Sequence, residues 1–329
     1  MIITRVPYRV SLFGGGTDFK CFYADKGTTI VSFSIDKYCY LSLKRLMPYF
    51  GVKYRISWSH IEEVSSLEEI RHPSVRACLL EYGLEDGLEI HTVGELPARS
   101  GLGSSSSFTA ALLAALSLYN GSKTLDPAVI AKETIRIEQD VLKETVGIQD
   151  QIQVCHGGFN VTKIFPDSSY SLVTLGDTSS FVRQINRSLV LVYSGIVRHS
   201  SEVHMASFLQ TESKGRKNNL EGIRSCAEEF SSRLLNHSIS FKDFAQLLNE
   251  SWAYKASNLP RTPATPTLLS IYDQAIDAGA SCGKLLGAGG GGFFAFFVQP
   301  ELQAEFSRKM SPYISINAKV SNSGVHQVV

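Results

Sequence analysis

The chain has 329 residues, 43% hydrophobic and 19% charged, with a formal net charge of +1. That length suits two domains, or one large one, around an ample core. Balanced charge gives no electrostatic basis for binding nucleic acid or an anionic membrane, so the expected partner is a small molecule.

No run of residues approaches the 18 apolar positions that a spanning helix needs. The start, Met1 to Pro7, lacks a cationic stretch followed by an apolar one. Six cysteines (Cys21, Cys39, Cys78, Cys155, Cys226, Cys282) are scattered without a C-x-x-C pair, which suits reduced thiols packed in the core. The expected location is the cytoplasm, and oligomeric state is not legible.

In chain order, Ile2 to Leu12 reads as a strand that runs into Gly14-Gly15-Gly16-Thr17-Asp18. Arg9 lies inside that apolar strand, where a cation needs an anion or carboxylate partner. Residues 28–46 are β-branched, aromatic and partly alternating, which predicts a strand, as do Ile56-Ser57-Trp58 and Leu88 to Val93. Helical spacing covers 67–82 through Leu67, Ile70, Val75, Leu79 and Leu80.

The segment Pro97-Ala98-Arg99-Ser100-Gly101-Leu102-Gly103-Ser104-Ser105-Ser106-Ser107 then leads without a break into the apolar stretch Phe108 to Tyr119, a buried helix. A helix N-terminus offers unpaired N–H groups and the positive end of its dipole, which together bind anions such as phosphate. Serines there can cap the helix, ligate a metal or bond phosphate. Asp126-Pro127 opens another helix in the order N-cap then N1. Glu138 and Asp150 flank the end of that helix.

Further strands are expected at Phe159 to Ile164 and Ser188 to Tyr193, then helices near 201–235, 241–257 and 266–278. Asn258 to Pro266 is Pro-rich and reads as a loop on the substrate side. The glycine run Gly287 to Gly292 precedes the buried strand Phe293 to Val298. It fits G-x-G-x-x-G formally, but a Rossmann turn opens a helix and this one opens a strand. Gly279 to Leu285 is one residue short of a Walker A loop and has no hydroxyl after Lys284.

Three glycine segments in this order resemble the GHMP kinase superfamily over nearly the whole chain. Pro-x-x-x-Gly-Leu-Gly-Ser-Ser is the specific one. Within the superfamily, Arg9 to Phe19 and Gly147-Ile148-Gln149-Asp150-Gln151 are most similar to D-glycero-D-manno-heptose 7-phosphate kinases. Galactokinases carry Glu-His where this chain has Gly15-Gly16, which leaves room for a bulkier or phosphorylated sugar.

The resemblance implies an α+β fold: a ribosomal protein S5 domain 2-like N-terminal domain over 1–185, and a ferredoxin-like C-terminal domain over 186–329. It implies ATP as donor and Mg2+ as cofactor. The reaction implied is phosphorylation of the anomeric C1 hydroxyl of heptose 7-phosphate, for nucleotide-activated heptose in capsule or surface glycan. Asp150 matches the catalytic aspartate and Arg9 the basic residue beside the transferred phosphate. Glu138 and Ser105 match the metal ligands, with Ser104 and Ser106 as alternatives to Ser105.

Gly101, Leu102, Gly103, Ser104, Ser105 and Ser106 would wrap the nucleotide phosphates. Gly15, Gly16, Thr17 and Asp18 would hold sugar, and Gly289 and Gly290 would lie on the floor between the substrates. Arg198, His199, Lys255 and Arg261 are candidates for the sugar's own phosphate. Alternatives are a fucokinase-like or other hexose kinase, a sugar and ATP sensor without catalysis, and a decarboxylase of the same superfamily.

Overall fold

The computed structural model describes residues 1–84, 86–196 and 214–329. Its first half builds an eight-stranded sheet. β1 (Ile2–Phe13) is followed by α1 (Lys20–Lys26), the long β2 (Thr28–Arg45), β3 (Tyr54–Ser57), β4 (Ile61–Val64), α2 (Pro73–Glu81) and β5 (Leu88–Gly94). After α3 (Ser104–Tyr119), α4 (Pro127–Ile135) and α5 (Gln149–His156) come β6 (Phe159–Ile164) and β7 (Tyr170–Leu175). The sheet runs β12-β1-β2-β5-β3-β4, and β6 and β7 continue from the first half of β2. β12 (His326–Gln327) is the returning C-terminal segment. All pairs are antiparallel except β3 with β5.

The second half follows α6 (Ser180–Ser188): β8 (Leu189–Tyr193), α7 (Lys214–Leu235), α8 (Phe241–Ser257), α9 (Thr265–Asp277), β9 (Ala280–Leu285), β10 (Phe293–Val298), α10 (Gln303–Lys309) and β11 (Ile314–Asn317). The strand order β11-β8-β10-β9, antiparallel throughout, is that of a ferredoxin-like sheet. β10 is buried at every position. Because side chains alternate along a strand, Phe293, Ala295 and Phe297 face one cluster, and Phe294, Phe296 and Val298 another.

The first cluster also contains Val6, Phe13 and Phe33 of the first sheet with Phe181, Phe230 and Phe244. Phe13 stacks on Phe230 at 4.5 Å, and Phe244 meets Phe297 edge-on at 4.9 Å. The two sheets therefore share one continuous core. That shared core fixes how β1 and the β9–β10 turn sit against each other.

Several expected boundaries shift for local reasons. The helix expected over 67–82 begins only at Pro73, because His72 caps it and Pro73 occupies its first turn. The buried helix expected from Phe108 starts at Ser104, directly after Gly103 in the left-handed conformation. The helix opened by Pro127 stops being α-helical at Arg136 and continues as a π-helical turn over Arg136–Val141. All six cysteines are free and five are buried, whereas Cys21 on α1 is exposed, outside the core expected for it. Among the described residues, no helix is long and apolar enough to cross a membrane.

Candidate active site

β1 is the spine of the site. It slips register against β2 twice, between Pro7 and Arg9 and between Ser11 and Phe13. Such irregularities release backbone groups from the ladder and re-aim side chains. At the first slip the Arg9 amide donates to the Leu102 carbonyl at 3.0 Å, and the Ser107 hydroxyl donates to the Pro7 carbonyl at 2.9 Å. The Gly101–Gly103 loop is thereby sewn onto β1.

Gly103 has φ +74°, and a Cβ there would lie 3.0 Å from Arg9 Cγ, so the left-handed turn and the close approach both ask for glycine. It caps α3 without any side chain. The first N–H groups of a buried helix thus start beside the Arg9 side chain.

Arg9 is 3% exposed, and each of the three nitrogens of its guanidinium makes a hydrogen bond within the site. Nε and Nη2 donate to the two carboxylate oxygens of Asp150 at 2.7 and 2.6 Å, and Nη1 donates to the Gly101 carbonyl at 2.5 Å. A two-point Arg–carboxylate contact sets orientation as well as distance. Asp150, in the first turn of α5, keeps 27% of its side chain open. One cation therefore ties the glycine–serine loop to a carboxylate with an accessible side.

Asp18 lies behind this pair, almost wholly buried. It accepts from the Gly16 amide at 3.0 Å and the Gln149 amide at 3.2 Å, and Gln149 Oε1 takes the Ser11 hydroxyl at 2.9 Å. Burial, and then the charge of Asp150, pushes Asp18 up to about 6. A Cβ at Gly147 would collide with the Asp18 carboxylate, so that glycine is what lets the 147–149 segment close over it.

Glu138 sits on the π-helical turn, a distortion that sequence periodicity does not reveal and that often marks functional positions. Its Oε2 accepts from Ser106 Oγ at 3.1 Å and Gln151 Nε2 at 2.5 Å. Its Oε1 is buried without a hydrogen-bond partner, as is Gln151 Oε1. Burial raises the Glu138 carboxyl to about 8. An unpartnered buried carboxylate oxygen beside a serine hydroxyl fits a hard oxygen-seeking cation such as Mg2+, with phosphate and water completing the shell.

Of the serines matched to the metal beside Glu138, Ser105 first with Ser104 and Ser106 as alternatives, the one in contact is Ser106. Successive helical residues are turned by about 100°, so Ser105 faces outward and is exposed while Ser106 turns in. Ser104 Oγ accepts from the Arg99 amide at 3.0 Å, and Arg99 itself is held at φ +57°.

Thr17 is a second departure. It is completely buried, donating to the Gly14 carbonyl at 2.7 Å and meeting Thr28 Oγ1 at 2.5 Å, so it braces the turn and does not face a sugar. Gly15 and Gly16 are half-buried beside Asp18.

The third glycine segment reaches the site through its backbone. Phe293 N donates to the Ser100 carbonyl at 3.0 Å, and a Cβ at Gly292 would clash with that same carbonyl. Gly289 is buried against Leu259, and Gly290 is half-buried. Lys255 Nζ donates to the Leu285 and Gly287 carbonyls at 2.6 and 2.7 Å, bracing this turn where a free phosphate ligand was expected. Arg261 is exposed, and Arg198 and His199 lie outside the described residues. Sequence reasoning missed Lys284, which it met only as part of a failed Walker loop. The side chain is buried, and Nζ donates to the Leu12 carbonyl of β1 at 2.6 Å.

The fold and these three glycine segments define a phosphotransferase class. The model for the GHMP kinases N terminal domain matches residues 71–158, and that for the GHMP kinases C terminal domain matches 232–312, together just over half the chain. The chain belongs to the GHMP kinases, and as such is an ATP-using kinase.

Among curated relatives, it is similar to the D-glycero-alpha-D-manno-heptose 7-phosphate kinase of Campylobacter jejuni: 26% identical over 309 residues, 91% of this chain and 90% of that one. It is also 26% identical over 283 residues to the Arabidopsis thaliana bifunctional fucokinase/GDP-fucose pyrophosphorylase, covering 80% of this chain and only 26% of that protein.

Among solved structures, a D-glycero-D-manno-heptose 1-phosphate kinase from Bacteriodes thetaiotaomicron superposes with a TM-score of 0.78 at 22% identity, over 100% of this chain and 99% of that one. Lactococcus lactis galactokinase complexed with galactose gives 0.74 at 17% identity, over 99% and 94%. At those identities the structural likeness speaks for the fold.

Proposed function

We infer that this kinase transfers the γ-phosphoryl group of ATP to the anomeric C1 hydroxyl of a heptose 7-phosphate. The product would be a 1,7-bisphosphate destined for nucleotide-activated heptose. The observation that carries the transfer itself is the Arg9 contact with both Asp150 and the Gly101 carbonyl, because it joins the phosphate-binding loop to the acceptor carboxylate. The choice of sugar rests on the similarity to the Campylobacter jejuni heptose 7-phosphate kinase across nine-tenths of both chains.

Phosphoryl transfer asks a protein mainly for positioning and charge stabilisation. The loop Gly101–Ser106 and the start of α3 cradle the triphosphate, and Ser104 and Ser105 present hydroxyls on its outer side. Glu138 with Ser106 would hold Mg2+, which would offset the negative charge of the phosphates. Asp150 orients the C1 hydroxyl and accepts its proton as the new O–P bond forms. The bond from Pγ to the bridging oxygen breaks, and ADP leaves with that electron pair. Arg9 keeps Asp150 in register and faces the charge spread over the moving phosphoryl group. Asp18, with the glycine pair beside it, receives sugar hydroxyls. A hemiacetal hydroxyl is more acidic than an ordinary alcohol, so a carboxylate suffices as base.

Phosphorus NMR of the protein with ATP, Mg2+ and a panel of sugars and sugar 7-phosphates tests this reading. A new anomeric phosphate signal on a compound that already carries a phosphate supports it. Turnover of free hexoses or fucose alone, yielding monophosphates, replaces it with a hexose kinase. ATP bound but never consumed, with any sugar, marks a sensor.

A further inference from the structure

Lys284 is a cation without a carboxylate. It is 4% exposed, in β9 just ahead of the third glycine segment, and forms no ion pair among the described residues. Among the described residues, the one hydrogen bond of its side chain crosses between the two sheets to the Leu12 carbonyl, at the second register slip of β1. The slip provides the acceptor, since regular pairing with β2 resumes only at Phe13. Three residues before Leu12 on the same strand stands Arg9.

Burying a charge without a counter-charge is costly unless something compensates it. The groups around Lys284 do not. From β1 it faces Arg9, which repels it, and from α7 it faces the thiol of Cys226. From α8, packed along β9, Lys255 is taken by the Leu285 and Gly287 carbonyls and Asn249 by that of Ser281. The α9 side offers Tyr272, whose hydroxyl donates to Asn249. Arg9 is already paired with Asp150, and Asp18 behind them is held by the Gly16 and Gln149 amides, so Lys284 has no carboxylate in ion-pair contact among the described residues. Desolvation, and then Arg9, lowers the ammonium to about 7.

We propose that Lys284 is a positioning residue of phosphoryl transfer: its buried ammonium, without an ion-pair partner among the described residues, holds β1, and with it Arg9, where the γ-phosphate of ATP arrives. Its bond to Leu12 also locks the Gly14–Asp18 turn against the β9–β10 turn. The Lys284 charge acts through Arg9 and β1, with no contact to either substrate. Because a buried field of this kind is strong in low dielectric, it favours the transferring phosphoryl group over solvent. This deepens the kinase reading and rests on it.

The test compares Lys284→Met, which keeps the length and removes the charge, with Lys284→Arg, whose charge persists at all working pH values. The readout is the ratio of variant to wild-type turnover, defined for any acceptor, including slow ATP hydrolysis by water. Failure to find a sugar acceptor therefore counts against the substrate reading and leaves this one testable.

For the Met variant, kcat is expected to fall by about 10- to 1,000-fold, the range for losing one preorganised charge-stabilising group, with ATP affinity changed less than threefold. For the wild type, activity falls on the alkaline side as Lys284 loses its proton, and the Arg variant holds its activity about two pH units further. A folded Met variant with kcat within twofold of wild type overturns the proposal. So does an Arg variant whose alkaline fall coincides with that of wild type, and this second result decides the matter if the Met variant does not fold.

Discussion

The two sheets treat buried polarity in opposite ways. On the face of β10 turned away from the first sheet the second sheet is apolar and aromatic, with Phe294, Phe296, Phe306 and Trp252 packed together, and its buried charge, Lys284, lies on the other face opposite Ala295. Around β1 the first sheet buries Arg9, Asp18 and Glu138, and leaves a carboxylate oxygen of Glu138 without a partner. Stability is concentrated where the side chains are apolar and mutually satisfied. Chemistry is concentrated where they are charged and incompletely satisfied. The GHMP kinase fold joins the two through one core, so the apolar half packs against and supports the charged half.

The contrast breaks most sharply at Arg9. Arg9→Ala leaves Asp150 without its two-point partner and the Gly101 carbonyl without a donor. We expect kcat to drop by about 10²–10⁴, measured by coupled ADP release. A change confined to KM would instead make Arg9 a binding group.

Phe296→Ala is the mirror-image experiment in the second sheet. It should cost about 3–5 kcal/mol of stability through the cavity left behind, read from urea unfolding, with kcat per folded molecule within threefold of wild type. A collapse of kcat in the folded fraction would show that the dry sheet does more than support.

The serines sharpen the comparison further. Ser106→Ala removes the hydroxyl in contact with Glu138 and should weaken Mg2+ dependence about tenfold, roughly one charge-assisted hydrogen bond. Ser105→Ala should change it less than threefold. Titrating activity against Mg2+ for both variants checks the assignment, and the reverse order would return the metal to Ser105.

The smallest effect concerns pH. Glu138 is raised from 4.5 to about 8 by burial. Between those values the folded state binds the extra proton and the unfolded state does not, so Glu138 makes the metal-free protein less stable as pH rises through that window. Glu138→Gln, having no proton to lose, should flatten the decline. At pH 8 without metal its Tm should stand clearly above that of wild type, whereas at pH 5 the two should agree closely. Equal slopes from pH 5 to 8 would mean that Glu138 is not the buried acid described here.

Much of this was legible in the chain. A Ser-rich turn running directly into Ala- and Leu-rich sequence betrays a buried helix with a phosphate-ready start. Arg9 in an apolar strand demanded an anion, and Asp150 supplies it. What stayed hidden depends on phase and register. Four consecutive serines do not say which of them turn inward, because each step on a helix rotates the side chain by about 100°. Thr17 looks like a ligand in sequence, yet the turn rotates it into the core. The π-helical turn under Glu138 and the two slips of β1 leave no mark in hydrophobic periodicity, and Lys284 acquires its meaning only when β9 is laid against β1.

The most direct measurement is single-turnover phosphoryl transfer by Asp150→Asn with ATP bound, followed by quench and separation of the phosphorylated acceptor. Loss of the proton acceptor, with the Asn side chain still filling the site, should slow the chemical step by about 10²–10⁴ while ATP affinity stays within a few-fold. A variant that transfers phosphate at the wild-type rate would remove Asp150 from the reaction and contradict the account at its centre.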